Sequence, residues 1–131
     1  MADFEMSLGW VIVYVDDPPA AAAFYERVFG LPIEFAFETY AQLLTGSTKL
    51  GFAAYTLGEG NLDGGVRPAA LDGQPANVEL ALVHEDVDGA YAHALQAGCT
   101  ALAEPLDKPQ GQRVAYVRDP FGTLLELATP L

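Results

Sequence analysis

One local plan occurs twice along this chain, and that repetition constrains the fold more than any other feature of the sequence. Leu8–Val15 reads Leu-Gly-Trp-Val-Ile-Val-Tyr-Val, an apolar run rich in β-branched and aromatic residues that suits a strand. Asp16-Asp17-Pro18-Pro19 follows it. Asp17 is placed to accept backbone N–H bonds as an N-cap, and Pro18 stands where a missing N–H costs nothing. Ala20–Phe29 then reads as a helix that stops at Gly30, a residue able to take the left-handed conformation. The order returns in the second half: Val78–Val83 as strand, Asp86 as cap, Val87–Ala97 as helix, Gly98 as stop. When Asp17 is superposed on Asp86, the two glycine stops fall within one residue of each other.

Extended segments follow each helix. They are Ile33–Phe37, Tyr40–Leu44 and Lys49–Tyr55 in the first half, and Thr100–Ala103, Arg113–Val117 and Thr123–Ala128 in the second. Asp119-Pro120-Phe121-Gly122 has the residues of a type I turn and should join the last two segments as a hairpin. Between the halves, Gly58–Pro75 contains five glycines and two prolines without a hydrophobic period, and reads as a connecting loop. The expectation is one α+β domain over 1–131, with β-α-β-β-β modules at 7–57 and 76–129 joined by loop 58–75.

Composition narrows the function classes. The net charge of −12 rests on 18 Asp and Glu against six Lys and Arg, which sets the chain against phosphate and anionic lipid alike. Nucleic acid and membrane are therefore not expected partners. An acidic surface keeps small proteins apart in solution, and an acidic cleft also concentrates cationic ligands. The single cysteine, Cys99, allows no intrachain disulfide and no cysteine-based metal cluster, and the start of the chain lacks the basic region of a secretory signal. A cytoplasmic location is expected. Cys99 itself reads as a small buried residue, because no basic or histidine partner is expected beside it.

Three segments together resemble the vicinal oxygen chelate superfamily of glyoxalase I, bleomycin- and fosfomycin-resistance proteins and extradiol dioxygenases. They are Val13-Tyr14-Val15-Asp16-Asp17, Phe24-Tyr25-Glu26-Arg27-Val28-Phe29-Gly30-Leu31, and Val117-Arg118-Asp119-Pro120-Phe121-Gly122-Thr123-Leu124-Leu125-Glu126-Leu127. The resemblance covers nearly the whole chain. It implies two βαβββ modules whose curved mixed sheets enclose a cavity. Family modules pair within one chain or across two, which implies a homodimer.

Metal-dependent relatives carry ligands on the first and last strands of each module, the first commonly a histidine seven residues before the capping aspartate. Those positions read Trp10, Gly51, Glu79 and Glu126 here. Indole nitrogen is a donor only and glycine has no side chain, so two carboxylates remain, a poor donor set for zinc, iron or nickel. No cofactor is expected. If a divalent metal binds, Glu79 and Glu126 are its candidate ligands. His84 and His93 do not extend the set; both read as solvated or helix-packing residues.

Strand alternation puts Leu80 and Leu82 on one face and Glu79 on the other, and separates Leu125 and Leu127 from Glu126 in the same way. Leucine faces suit packing under the helices. The glutamates then line the ligand site, with a raised pKa, or sit at a wet rim. Trp10 reads either as core or as a stacking wall at that site. Phe52 and Tyr116 are assigned to ligand contact from a wider set of strand aromatics that includes Phe35, Phe37, Tyr40 and Tyr55. Arg113 and Arg118 are expected as solvated surface residues.

The function expected is sequestration of a small, cationic or aromatic molecule, similar to the bleomycin-resistance branch and to antibiotic resistance by binding. The alternative is a glyoxalase- or dioxygenase-type enzyme that uses Glu79 and Glu126 with a divalent metal, or Glu126 as a general base. A third reading is an interaction domain whose acidic face meets a basic partner.

Overall fold

The computed structural model describes residues 3–131, which fall into two compact units that divide after Pro68. The division lies inside the segment expected as a loop.

The first unit begins with β1 (Trp10–Val15), followed by α1 (Pro18–Phe29), β2 (Ile33–Ala36), β3 (Tyr40–Leu43) and β4 (Lys49–Ala54). The expected cap is in place: Asp17 accepts a hydrogen bond from the Ala20 backbone N–H at 3.1 Å. Gly30 ends α1 at φ 71°, and its N–H bonds back to the Glu26 carbonyl. The sheet runs β1-β4-β3-β2, with β1 parallel to β4 and the other pairs antiparallel. Its edge strands are β1 and β2. Helix α1 covers one face, where Tyr25, Phe52, Leu43 and Val15 are buried and the Tyr25 and Phe52 rings lie 5.0 Å apart. Burial of each such side chain stabilises the unit by about 1.5–3 kcal/mol.

The second unit repeats the plan with β5 (Glu79–Val83), α3 (Val87–Gln96), β6 (Thr100–Asp107), β7 (Arg113–Arg118) and β8 (Leu124–Ala128), in sheet order β5-β8-β7-β6. Asp86 caps α3 by accepting from the Gly89 N–H at 2.9 Å. The Asp119–Gly122 turn forms as expected, with Asp119 Oδ1 accepting from Phe121 N and Thr123 N. Val87, Val117, Leu125 and Leu127 form the buried face.

Three departures have physical causes. Tyr55–Asn61 forms a short helix, α2, where a strand end and a loop were expected. Its two glycines argue against a helix by propensity alone. Packing decides instead: Gly58 is buried so close to Tyr14 and Val66 that an added Cβ would lie 3.0 and 3.1 Å from their side chains. Strand β6 continues past Ala103 through Pro105, which an edge strand tolerates because its outer N–H groups need no partner. Arg118 is buried, 3% exposed, and donates to the Gly73 carbonyl at 2.8 Å; it is not the solvated surface arginine expected. Arg113 is half-exposed and bridges Asp88 and Asp107.

Among the described residues, no helix is long and apolar enough to cross a membrane.

Candidate functional site

Register decides which side chains share a sheet face. In the first unit Trp10 pairs with Lys49 and Ile12 with Gly51, while in the second Glu79 pairs with Leu124 and Ala81 with Glu126. Gly51 lies opposite Gln42, and Glu126 opposite Tyr116. Trp10 is thus equivalent to Glu79, Gly51 to Glu126 and Gln42 to Tyr116. All six stand on the faces turned away from the helices.

On the first unit's face, Trp10 Nε1 donates to Gln42 Oε1 at 2.9 Å, and the Tyr40 hydroxyl donates to the same oxygen at 2.8 Å. Gln42 Nε2 donates to Glu34 Oε1 at 2.7 Å. Gln42 is buried, whereas Trp10 is 57% exposed. The Tyr40 ring occupies the space above Gly51, where any Cβ would overlap its hydroxyl. Glu34 joins the network through a register shift between Ile33 and Phe35 that inserts it as an extra residue. Such a bulge sets two successive residues, Glu34 and Phe35, opposite the single residue Gln42. Partial burial, then the Glu34 charge, raises the Tyr40 hydroxyl above its ordinary pKa.

On the second unit's face, the Glu79 and Glu126 carboxyls stand close enough to interact. Desolvation, the hydrogen bond to Glu126 and the Glu126 charge, in that order, raise Glu79. The Tyr116 hydroxyl donates to Glu126 Oε1 at 3.2 Å. Desolvation and then the charges of Glu126 and Glu79 raise its pKa.

Phe52 requires a correction. It is fully buried against Tyr25 beneath α1, because it follows Gly51 in the strand and alternation sends it to the helix-covered face. It is a core residue, not a ligand contact. Tyr55 opens α2 and lies beside Tyr14, with ring centroids 6.4 Å apart. Gln42, Glu34 and Tyr40 were missed as site residues. The parity of β3 with Gly51 would have found Gln42; the bulge that brings in Glu34 left no signal in the sequence.

The donor set does not fit a metal of the kind metal-dependent relatives hold. Trp10 offers a donor N–H that is already engaged, Gly51 offers nothing, and only two carboxylates meet on the second unit. Among the described residues, no three His, Cys, Asp or Glu side chains come together in a way that would hold a metal ion. His84 Nδ1 accepts from the Asp86 N–H, at the end of β5. Burial, then the Asp119 charge, pushes the Cys99 thiol up to about 11, far from a reactive thiolate.

Paired βαβββ units with these equivalent strand positions define a class of fold. A model of the Glyoxalase/Bleomycin resistance protein/Dioxygenase superfamily matches residues 7–127, and the chain belongs to that superfamily. A "Putative glyoxylase CFP32" of Mycobacterium tuberculosis is 30% identical over 128 residues, which is 95% of this chain and 44% of that protein. The chain therefore spans less than half the length of that relative. The fold is shared with a glyoxalase/bleomycin resistance protein/dioxygenase family enzyme from Burkholderia phytofirmans (TM-score 0.80, 23% identity, 96% of this chain and 100% of that one). It is also shared with a glyoxalase-related enzyme from Fulvimarina pelagi (TM-score 0.79, 20% identity, 96% of this chain and 89% of that one).

Proposed function

We propose that this chain is a binding protein that sequesters a small aromatic or cationic molecule, such as an antibiotic, without a tightly bound metal. One observation carries the reading: the four equivalent strand positions hold an indole engaged by an amide, a glycine filled by a tyrosine ring, and two neighbouring carboxyls. These are recognition chemistries. A half-exposed indole offers a stacking surface, carboxylates attract cations, and the net charge of −12 favours cation encounter. We place the protein in the cytoplasm as a homodimer.

Calorimetric titration with planar cationic antibiotics, alongside elemental analysis of the purified protein, tests this. Saturable binding at one ligand per chain with substoichiometric metal is the expected result. Uniform failure to bind removes the reading.

The Glu79–Glu126 pair favours a second reading, a glyoxalase- or dioxygenase-type enzyme. A carboxyl whose pKa is raised by desolvation, and then by a neighbouring carboxyl, is suited to taking up and releasing a proton during turnover. Stoichiometric zinc, nickel, iron or manganese in the purified protein would put this reading first.

A further inference from the structure

We propose that the exposed sheet face of the first unit is by itself a binding surface for a planar aromatic cation, with Glu34 as its counter-charge and Gln42 as the residue that holds the surface in shape. This rests on the binding reading above and assigns part of it to residues outside the equivalent strand positions.

Four strands contribute to one interlocked arrangement. Trp10 comes from β1, Glu34 from β2, Tyr40 and Gln42 from β3, and Gly51 from β4. Gln42 Oε1 takes both available donors, the indole N–H and the tyrosine hydroxyl, and its Nε2 grips Glu34. The amide is buried, so releasing either aromatic group would strip a desolvated oxygen of a partner. A long, rotatable indole on a strand surface is thereby held in one orientation. Preorganisation of this kind removes an ordering cost from binding.

The surface is also chemically directed. Trp10 remains 57% exposed although its N–H is satisfied, so what it offers a ligand is its apolar ring. Phe35 lies 6.0 Å from the Tyr40 ring and extends the aromatic surface toward β2. Glu34 is exposed and bonded through one oxygen to Gln42, an acceptor-only anion fixed at the edge of the rings. Aromatic faces attract a cation through their quadrupole, and a fixed carboxylate beside them adds direct charge. A neutral planar molecule would gain the first contribution and not the second.

Trp10 is the sole tryptophan of the chain, so its emission reports this face alone. The probes are 1-methylnicotinamide, a planar cation, and nicotinamide, its neutral counterpart. In the wild-type protein both should quench Trp10 saturably, the cation binding more tightly. In Glu34→Gln the side-chain amide still accepts from Gln42, so the network survives and the charge is gone. Its affinity for the cation should fall about three- to tenfold, with nicotinamide affinity unchanged. Gln42→Leu should release the indole, lower its fluorescence anisotropy and weaken both probes. The exchange variant Glu34→Gln/Gln42→Glu rebuilds all three hydrogen bonds with the charge moved, and should restore the anisotropy that Gln42→Leu loses. Cation binding that Glu34→Gln leaves unchanged, or that leaves Trp10 emission unchanged at saturation, overturns the placement on this face. Failure of the wild-type protein to bind any planar cation, including the antibiotics above, removes the underlying reading instead.

Discussion

Trp10 and Glu79 occupy the same register position in two sheets of the same topology, yet they build opposite surfaces. In the first unit a buried amide collects two donors and leaves an aromatic ring facing outward. In the second, a tyrosine hydroxyl donates to one of two neighbouring carboxyls, and the pKa of the other is raised. The helix-covered faces show no such divergence: Phe52 and its register counterpart Leu127 are both buried. A repeated scaffold thus keeps its packing side apolar, because both copies must bury it, and is free to change chemistry on the side it does not.

The largest effect should come from the buried side. Phe52→Ala is expected to destabilise the first unit by about 3–5 kcal/mol, measured by denaturant unfolding followed through Trp10 emission. A loss below about 1 kcal/mol would return Phe52 to the exposed face and break the assignment of faces.

A smaller effect separates the two β-hairpin turns. Gly122 has φ 99°, and an added Cβ would lie 2.8 Å from the Ala70 carbonyl oxygen, a backbone atom with little room to move. Gly122→Ala should therefore cost about 1–3 kcal/mol in thermal unfolding. Ser47→Ala, at the matching position of the first unit, should stay within about 0.5 kcal/mol. Equal costs would mean that the two turns are under the same constraint.

The charge difference should appear as a pH slope. Glu79 has its pKa raised on folding, so its contribution to stability is fully present below the ordinary carboxylate range and is lost as pH rises through the raised value. Glu79→Gln should flatten that loss, and Trp10→Gln at the same register position should leave it in place. Melting temperatures across pH 4 to 8, a span of ~4 units around the carboxylate and histidine ranges, are the measurement. An unchanged slope in Glu79→Gln would show that folding does not raise the Glu79 carboxyl.

The smallest expected effect is none. With its thiol pushed up to about 11, Cys99 in the folded protein should resist iodoacetamide at mildly alkaline pH, with about a hundredfold less thiolate than an ordinary cysteine. Because Cys99 lies in the second unit and Trp10 in the first, alkylation and fluorescence follow the two units separately. Coincident transitions would show that the units unfold together.

Much of the scaffold was legible because its signals are local. Asp17 and Asp86 cap their helices, Gly30 and Gly98 take positive φ beyond them, and the Asp119–Gly122 turn closes its hairpin. Matching Ser47 with Gly122 also placed Gly51 on Glu126, and the pairing registers agree. The errors fall where distant residues overrule local ones. Helix α2 depends on Tyr14 lying against Gly58, β6 runs through Pro105 because it is an edge, and Arg118 is buried by the Gly73 carbonyl. Phe52 was misassigned for a narrower reason, since a one-residue change of parity exchanges the two faces of a strand.

By itself the sequence determined the repeated strand–helix–strands plan and the loss of histidine from its equivalent positions, because caps, stops and alternation act over a few residues. Only the tertiary structure decided that Gln42 joins Trp10 to Tyr40, that a bulge sets Glu34 beside Phe35 opposite Gln42, and that Glu79 and Glu126 come within reach of each other. Those contacts join strands distant in sequence, and hydrogen-bond chemistry across strands depends on register and bulges that no local pattern encodes.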